Sequence, residues 1–272
     1  MDRCRKTITR YARIPTLAAI LVVGLLGPTS VKAQSSDFGI WSAVGVEKKI
    51  NKKWNVGAET EFRTRNDSKT PERWSFGVDG SYKLMRYVKV AAAYSLLYDN
   101  NKEKITWNPD GNYNNWRPSY WGVRHRFSFS VTGNVDIGRL KLSLRERWQY
   151  TYRPSKITER YDFDNAQWET TEVRGKGRNV LRSRFRVRYD IPHCKLDPYT
   201  DIELFNSWSL TKMRYTIGAD YKIRKRHVVG LYYRWQNITG DDDDNQPDCH
   251  ILGMGYTCLL YTSPSPRDGL LS

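Results

Sequence analysis

From Trp54 to Phe62 alternate residues are apolar or small (Trp54, Val56, Ala58, Thr60, Phe62), while Asn55, Gly57, Glu59, Glu61 and Arg63 fill the positions between and after them. A period of two places successive side chains on opposite faces of a strand. The pattern recurs as Trp74, Phe76, Val78, Tyr82 and Leu84 against Arg73, Ser75, Asp79, Ser81 and Lys83, and again as Val88, Val90, Ala92, Tyr94, Leu96 and Tyr98. Further runs cover 38–49, 121–133, 139–153, 179–191, 196–206, 212–223, 227–237 and 249–257. Together they predict about eleven strands, each with the roughly 9 to 11 residues that a tilted membrane-spanning strand needs. No helix is expected. The fold class is therefore all-β, an antiparallel up-and-down transmembrane β-barrel of about 10–12 strands.

The connections alternate in length. Short ones (Asn51-Lys52-Lys53, Met85-Arg86, Asn134 to Gly138, Pro192 to Lys195, Arg224-Lys225-Arg226) follow odd strands, and mostly longer ones follow even strands. Bacterial barrels have tight periplasmic turns and long outer loops, so the two longest segments, 99–120 and 154–178, are expected outside the cell. Alternation alone does not separate a membrane barrel from a soluble one, because exchanging inside for outside leaves it unchanged. Aromatic placement does separate them: Leu140, Leu142 and Leu144 give way to Trp148, Tyr150 and Tyr152 toward the loop end, as does Leu231 to Tyr233 and Trp235, the arrangement of an interfacial girdle. A soluble barrel of this size would also need something to fill its centre, and no helical segment is present to do so.

The first residues change the picture further. Arg3, Arg5, Lys6, Arg10 and Arg13 precede an apolar stretch from Ile14 to Leu26, and Val31-Lys32-Ala33 forms a small-x-Ala cleavage site. Residues 1–33 read as a cleaved signal peptide, 34–257 as the barrel. Residues 258–272 carry two prolines and lose the alternation, so they read as a tail foreign to the fold. The whole chain carries a formal charge of +16, and removing the leader still leaves the mature part basic. Cys194, Cys249 and Cys258 are too few and too scattered for a disulfide framework.

Phe38-Gly39-Ile40-Trp41 at the mature start, Leu144 to Arg153 in the middle and His250 to Tyr256 near the end resemble an uncharacterised family of Gram-negative outer-membrane barrels labelled as a domain of unknown function. The likeness runs from about Asp37 to Tyr256 and implies a bacterial outer-membrane location. It also implies outer-membrane lipids and lipopolysaccharide as surroundings and the barrel-assembly machinery as folding partner. It brings no catalytic residues with it. Two details run against the barrel pattern. Eleven is odd where bacterial single-chain barrels are usually even, which predicts a missed or merged strand and leaves the first strand starting outside. Glu146 and His125 fall on lipid-facing positions, which predicts a bulge or local phase shift that turns them inward.

The most distinctive constellation is Arg182, Arg184, Arg186 and Arg188 on one face of one strand. The short turn that follows sets Arg186 opposite Asp201 and Arg184 opposite Glu203, both pairs on that face. Arg124, Arg126, Arg145 and Arg147 occupy polar-face positions of the two preceding strands, so together the eight arginines predict a basic wall in the lumen, with Glu59, Glu61 and Asp79 elsewhere on its surface. One reading is a small pore passing anionic or polar solutes; another is a closed structural or surface-binding barrel plugged by its own salt bridges. Alternating arginines among acids, on exported strands, argue against nucleic acid.

An outer-membrane lipid hydrolase or protease would need a nucleophile and base, yet His125, His193, His227 and His250 stand near no persuasive partner. No catalytic residue, metal or cofactor is therefore expected. Asp241 to Asp244 with Asn245 and Asp248 lack the interleaved spacing of a calcium loop and read as a solvated outer loop. Trp107, Tyr113, Trp116, Tyr120 and Trp121 suit either sugar stacking or folding of the outer loop onto the rim.

Overall fold

A computed structural model describes residues 36–224, 226–239 and 248–261; the expected signal segment and most of the 241–248 acidic run lie outside them. Eleven strands close into a barrel: β1 (Asp37–Lys49), β2 (Trp54–Arg65), β3 (Thr70–Lys83), β4 (Val88–Asn101), β7 (Tyr120–Ile137), β8 (Leu140–Arg153), β11 (Lys176–Tyr189), β12 (Leu196–Ser207), β13 (Ser209–Ile223), β14 (His227–Ile238) and β15 (Cys249–Tyr261). Four shorter strands, β5 (Lys104–Trp107), β6 (Tyr113–Arg117), β9 (Lys156–Asp162) and β10 (Gln167–Val173), form a separate sheet. One rim of the barrel carries the short turns and the other carries these extra strands.

Sequential barrel strands pair antiparallel, whereas β1 and β15 pair parallel from Asp37↔Cys249 to Lys49↔Tyr261. The odd count is thus real within the described residues. In an up-and-down sheet with an odd number of strands the first and last run the same way, so only a parallel ladder closes it. Among the described residues no barrel strand is hidden in a merged run. The boundary expected after Thr257 falls inside β15, which continues through Cys258, opposite His227 on β14, to Leu260, opposite Lys48 on β1. β1 begins at the rim of the extra strands, as the sequence pattern implies.

The outer face is apolar. Trp74, Phe76, Val78, Phe127, Phe129, Leu144, Phe185, Ile217, Leu231 and Met254 all point out and are exposed. The buried set is largely polar or charged: Arg73, Asp99, Gln149, Asp201, Glu203, Arg214 and Gln236. This inverts the water-soluble arrangement, in which buried ionised groups are rare.

His125 and Glu146 do not turn inward. The β7–β8 ladder runs through Val131↔Glu146 and His125↔Tyr152 without a register shift, which overturns the expected bulge. Each instead finds a polar partner on the same outer face: the Tyr94 hydroxyl lies 2.8 Å from His125 Nδ1, and Ser183 Oγ donates to Glu146 at 2.6 Å. His250 meets Tyr233 and His227 meets Tyr256 in the same way, at 2.5 and 2.7 Å. A cross-strand neighbour that satisfies the polar tip lowers the cost of an outward histidine without disturbing the pleat.

Segments 99–120 and 154–178 are not loops but two hairpins, joined through β6 and β9 at Trp116↔Tyr161 into a sheet of order β10-β9-β6-β5. Their strands of 4 to 7 residues are too short, and their polar turns too prominent, for the hydrophobic period to stand out. One face is a run of touching rings: Trp107 on Tyr113, Tyr113 on Phe163, Phe163 on Tyr161, Tyr161 on Trp168 and Trp168 on Trp116, with centroids 4.3 to 5.7 Å apart. Trp121 instead stacks on Tyr98 of the barrel wall. In the β9–β10 turn Asp162 accepts from the Asp164 and Asn165 amides and the Asn165 side chain, and the Asn165 bond leads in holding its carboxyl below the usual range.

At the same rim the β2–β3 turn holds Asn66, Asp67 and Ser68 at φ of 53°, 54° and 65°. Non-glycine residues enter this left-handed region at a cost of about 1–2 kcal/mol each. Asp37 offsets it. Its carboxylate accepts from the backbone amides of Asn66 and Asp67 at 3.0 Å each, and of Phe38 at 2.7 Å.

Candidate functional site: the lumen

The interior encloses a cavity of about 1090 Å³. Its lining reaches from Asp37, Lys102 and Arg117 near the hairpin rim to Glu47, Asp220 and Leu259 near the turn rim. Burial, followed by the neighbouring Arg65, pushes the Lys102 ammonium below its ordinary range.

Strand parity aims the eight predicted arginines inward, but their partners differ. On β11 and β12 the register sets Arg186 opposite Asp201 and Arg184 opposite Glu203. Arg186 donates to Asp201 at 2.8 and 2.5 Å, and Arg188 to Asp220 at 2.7 Å. Glu203, however, turns away from Arg184: its two oxygens accept from Arg145 at 2.8 Å and Arg182 at 2.9 Å. Arg182 also donates to Gln149 at 3.0 Å. Arg124 reaches Asp99 at 3.1 Å and Asn101 at 2.9 Å, and Arg126 reaches the Thr151 hydroxyl at 3.3 Å. Arg147 and Arg184 have neither a carboxylate nor a hydrogen-bond partner among the described residues, and the Nε of each is buried and unsatisfied.

The reason is crowding. Arg145 and Arg147 on β8 lie directly opposite Arg184 and Arg182 on β11, so four guanidinium groups share one block of wall with a single carboxylate, Glu203, within reach. A carboxylate accepts two fork-shaped donors well. The remaining pair, diagonal in the block, is left facing the cavity. On β7 Ser130 stands opposite Arg147, and Arg126 lies four residues further along, opposite Thr151.

Of the acidic residues, Glu61 accepts from Arg63 at 2.6 Å. Glu59 and Asp79, on β2 and β3, make no ion pair with any cation among the described residues, line the cavity, and share an electrostatic field with Arg147 across it. Asp99 is enclosed by Arg73 and Arg124, with Arg73 Nη2 donating at 2.9 Å.

The sequence reading missed the other side of the lumen. Trp41 on β1 lies beneath the guanidinium groups of Arg63, Arg214 and Arg234, at 3.7, 5.0 and 5.3 Å from its ring centroid. Phe205 carries Arg182 and Arg214 at 4.6 and 4.7 Å, and Tyr199 carries Arg186 at 4.3 Å. Arg214 donates to Gln236 at 2.9 Å and Arg234 to Thr216 at 3.0 Å. The Tyr232 ring fills the space that a side chain at Gly253 would need, and Tyr232 Cβ, the Leu231 carbonyl and the Tyr199 ring crowd the same space at Gly218, so glycine is required at both inward positions. Inward aromatics at Trp41, Tyr199 and Phe205 break the polar-inside pattern, and that was the available signal.

Of the calcium-like run, the described Asp248 accepts from the Ile238 amide at 2.8 Å and from Asn237 at 3.2 Å, closing the loop base. Among the described residues no group of His, Cys, Asp and Glu is placed to hold a metal.

A family model described as "Protein of unknown function (DUF2490)" matches residues 38–246. No curated protein matches the chain. Among solved structures, the β domain of the Bordetella autotransporter BrkA is similar at 13% identity and a TM-score of 0.47, over 69% of this chain and 77% of that one. The CymD monoaromatic hydrocarbon channel is similar at 8% identity and a TM-score of 0.38, over 71% and 66%.

Proposed function

The chain belongs to the DUF2490 family, and for this member we propose an integral barrel of the bacterial outer membrane, its hairpin sheet outside the cell, that passes small anionic solutes through a basic lumen. The observation that carries this is the pairing of an apolar outer wall with a polar cavity that touches both rims and exposes Arg147 and Arg184 without partners. Fixed positive charge in a water-filled passage raises the local concentration of anions. Lipids and lipopolysaccharide are the surroundings this outer face suits, and the barrel-assembly machinery is the partner such a fold requires. The reading is not that of a hydrolase: three of the four histidines are engaged by tyrosines on the outer face.

The test is bilayer recording of the detergent-folded protein after fractionation. The protein is expected in outer membranes, migrating faster on gels unheated than boiled, with steady anion-selective conductance that falls in the Arg147→Gln/Arg184→Gln double variant. Recovery in the soluble periplasm without detergent would overturn the location. A second reading, a closed structural barrel, is favoured by the Arg–aromatic stacks and the Asp201 and Asp220 pairs that fill the β12–β14 side. Absence of conductance in the wild type would select it.

A further inference from the structure

We propose that the outer face of the hairpin sheet is a docking surface for uncharged hexoses, those of the lipopolysaccharide standing beside the barrel. It rests on the reading that places this sheet outside the cell, and not on conduction through the lumen.

The sheet is an extension of the barrel wall. Its order β10-β9-β6-β5 repeats the barrel order β11-β8-β7-β4, and the pair Trp116↔Tyr161 is displaced from His125↔Tyr152 by the same number of residues on each strand. It therefore has a lumen side and a lipid side. Lys104 and Arg117, opposite one another, and Val173 line the cavity. Side chains alternate along a strand, so Ile105 and Trp116 point the other way, and the cross-strand neighbours Tyr161 and Trp168 share that face. Trp107, Tyr113 and Phe163 join them through ring contacts. Trp107, Tyr113, Phe163 and Trp168 are 57, 49, 40 and 54% exposed, so the rings form an open surface and not a core.

Charge and height choose the occupant. The same alternation puts Lys104, Arg117, Lys156 and Arg160, the cations of these four strands, on the lumen side. The charged groups on the ring face are acids: Glu159 and Glu172 on the strands, and Glu103, which accepts from Trp116 Nε1 at 3.1 Å. Such a surface repels phosphate and other anions. It suits a neutral sugar, whose C–H face lies on a ring while its hydroxyls donate to carboxylates. Trp116 lies beyond Trp121, which stacks on Tyr98 at the lipid-facing rim, by about 15 Å of extended chain. Rim aromatics mark the headgroup level, and the layer above the headgroups of a lipopolysaccharide leaflet is sugar. Successive rings tilt by 30 to 84°, which presents separate ring faces suited to single sugar units rather than one flat plate.

The experiment compares two lipopolysaccharides on the immobilised full barrel in detergent: one with its complete hexose core, one truncated to lipid A and its acidic inner sugars. The complete form should bind about tenfold more tightly, as expected of two ring contacts. Trp107→Ala/Trp168→Ala should abolish that preference without changing the binding of the truncated form, and Trp107→Phe/Trp168→Phe should keep part of it. Arg160→Ala, which loosens the same hairpin from its lumen side, should leave the preference intact. Equal binding of the two forms by wild type would overturn the docking surface, as would a preference that survives the double alanine variant or is lost equally in Arg160→Ala. A detergent-stable dimer that Trp107→Ala/Trp168→Ala splits would make the face an interface between copies and overturn it too. Labelling of Asp110→Cys in intact cells by a membrane-impermeant maleimide, above that of the parent protein, is expected. No such labelling would overturn the outer placement and the docking together, whereas labelling without a hexose preference would overturn the docking alone.

Discussion

The two sides of the lumen use the same residue in opposite ways. On the side built by β1 and β12–β14, Arg214 and Arg234 lie against Trp41, with Phe205 and Tyr232 beside them, and their remaining donors go to Gln236 and Thr216. On the side built by β7, β8 and β11, Arg147 and Arg184 face open space with no ring beneath them and no acceptor beside them. An arginine plugs a barrel when an aromatic face and a neutral acceptor lie across the strand, and lines a passage when its neighbours are other arginines. The residue opposite, not the charge itself, decides which.

The comparison breaks most readily at the filled side. Trp41→Ala removes the surface on which three guanidinium groups rest and should cost about 3–5 kcal/mol, read as a large drop in the temperature at which the fast-migrating band disappears. Loss of no more than about 1 kcal/mol would mean that the rings do not hold the filled side together.

Glu203→Gln should come next. It withdraws the one carboxylate shared by Arg145 and Arg182, and breaking a buried pair costs about 3 kcal/mol. Adding phosphate should recover part of that loss if the open side tolerates exchange of one anion for another.

The sharpest contrast is between neighbours on one strand. Arg186→Gln leaves Asp201 short of its donors and should destabilise by about 2 kcal/mol, whereas Arg184→Gln removes an unpaired charge and should be neutral or mildly stabilising. Denaturation in urea from lipid vesicles measures both, and equal losses would show that Arg184 has a partner in the folded barrel.

The smallest effect lies outside the lumen. Asp162 has its carboxyl lowered by the bonds that close the β9–β10 turn, so their contribution is fully present above its unfolded value, about 3.9. It is lost as pH falls through the lower folded value. Amide exchange at Asp164 and Asn165 should quicken there while the barrel band stays intact, and simultaneous loss of both would show that the two sheets are not separable.

Much of this was legible. Strand positions, the inward aim of all eight arginines and the β11–β12 register follow from the period of two and one short turn, because both are local rules. Which arginine Glu203 chooses was not legible: it depends on β8 standing on the far side of β11, a neighbour that the β11–β12 turn says nothing about. The Trp41 stack was hidden for the same reason, since its cations come from β2, β13 and β14. The hairpin sheet escaped because β6 and β9 pair through only Asn115↔Asp162 and Trp116↔Tyr161, contacts between two segments each of which reads as a polar loop by itself.

The parallel seam between β1 and β15 bears on how the barrel comes together in time. Every other barrel ladder joins strands that follow one another along the chain in the barrel, so each can zip soon after its second strand is made. Asp37 cannot meet Cys249 until everything between them is in place. Long-range pairing is slow because chain entropy is lost before contacts repay it, and parallel ladders are slightly weaker per residue than antiparallel ones. The seam is therefore the last line to knit during assembly and the first to part under load, and an open sheet with two bare edges is the intermediate that an insertion machine would have to guard.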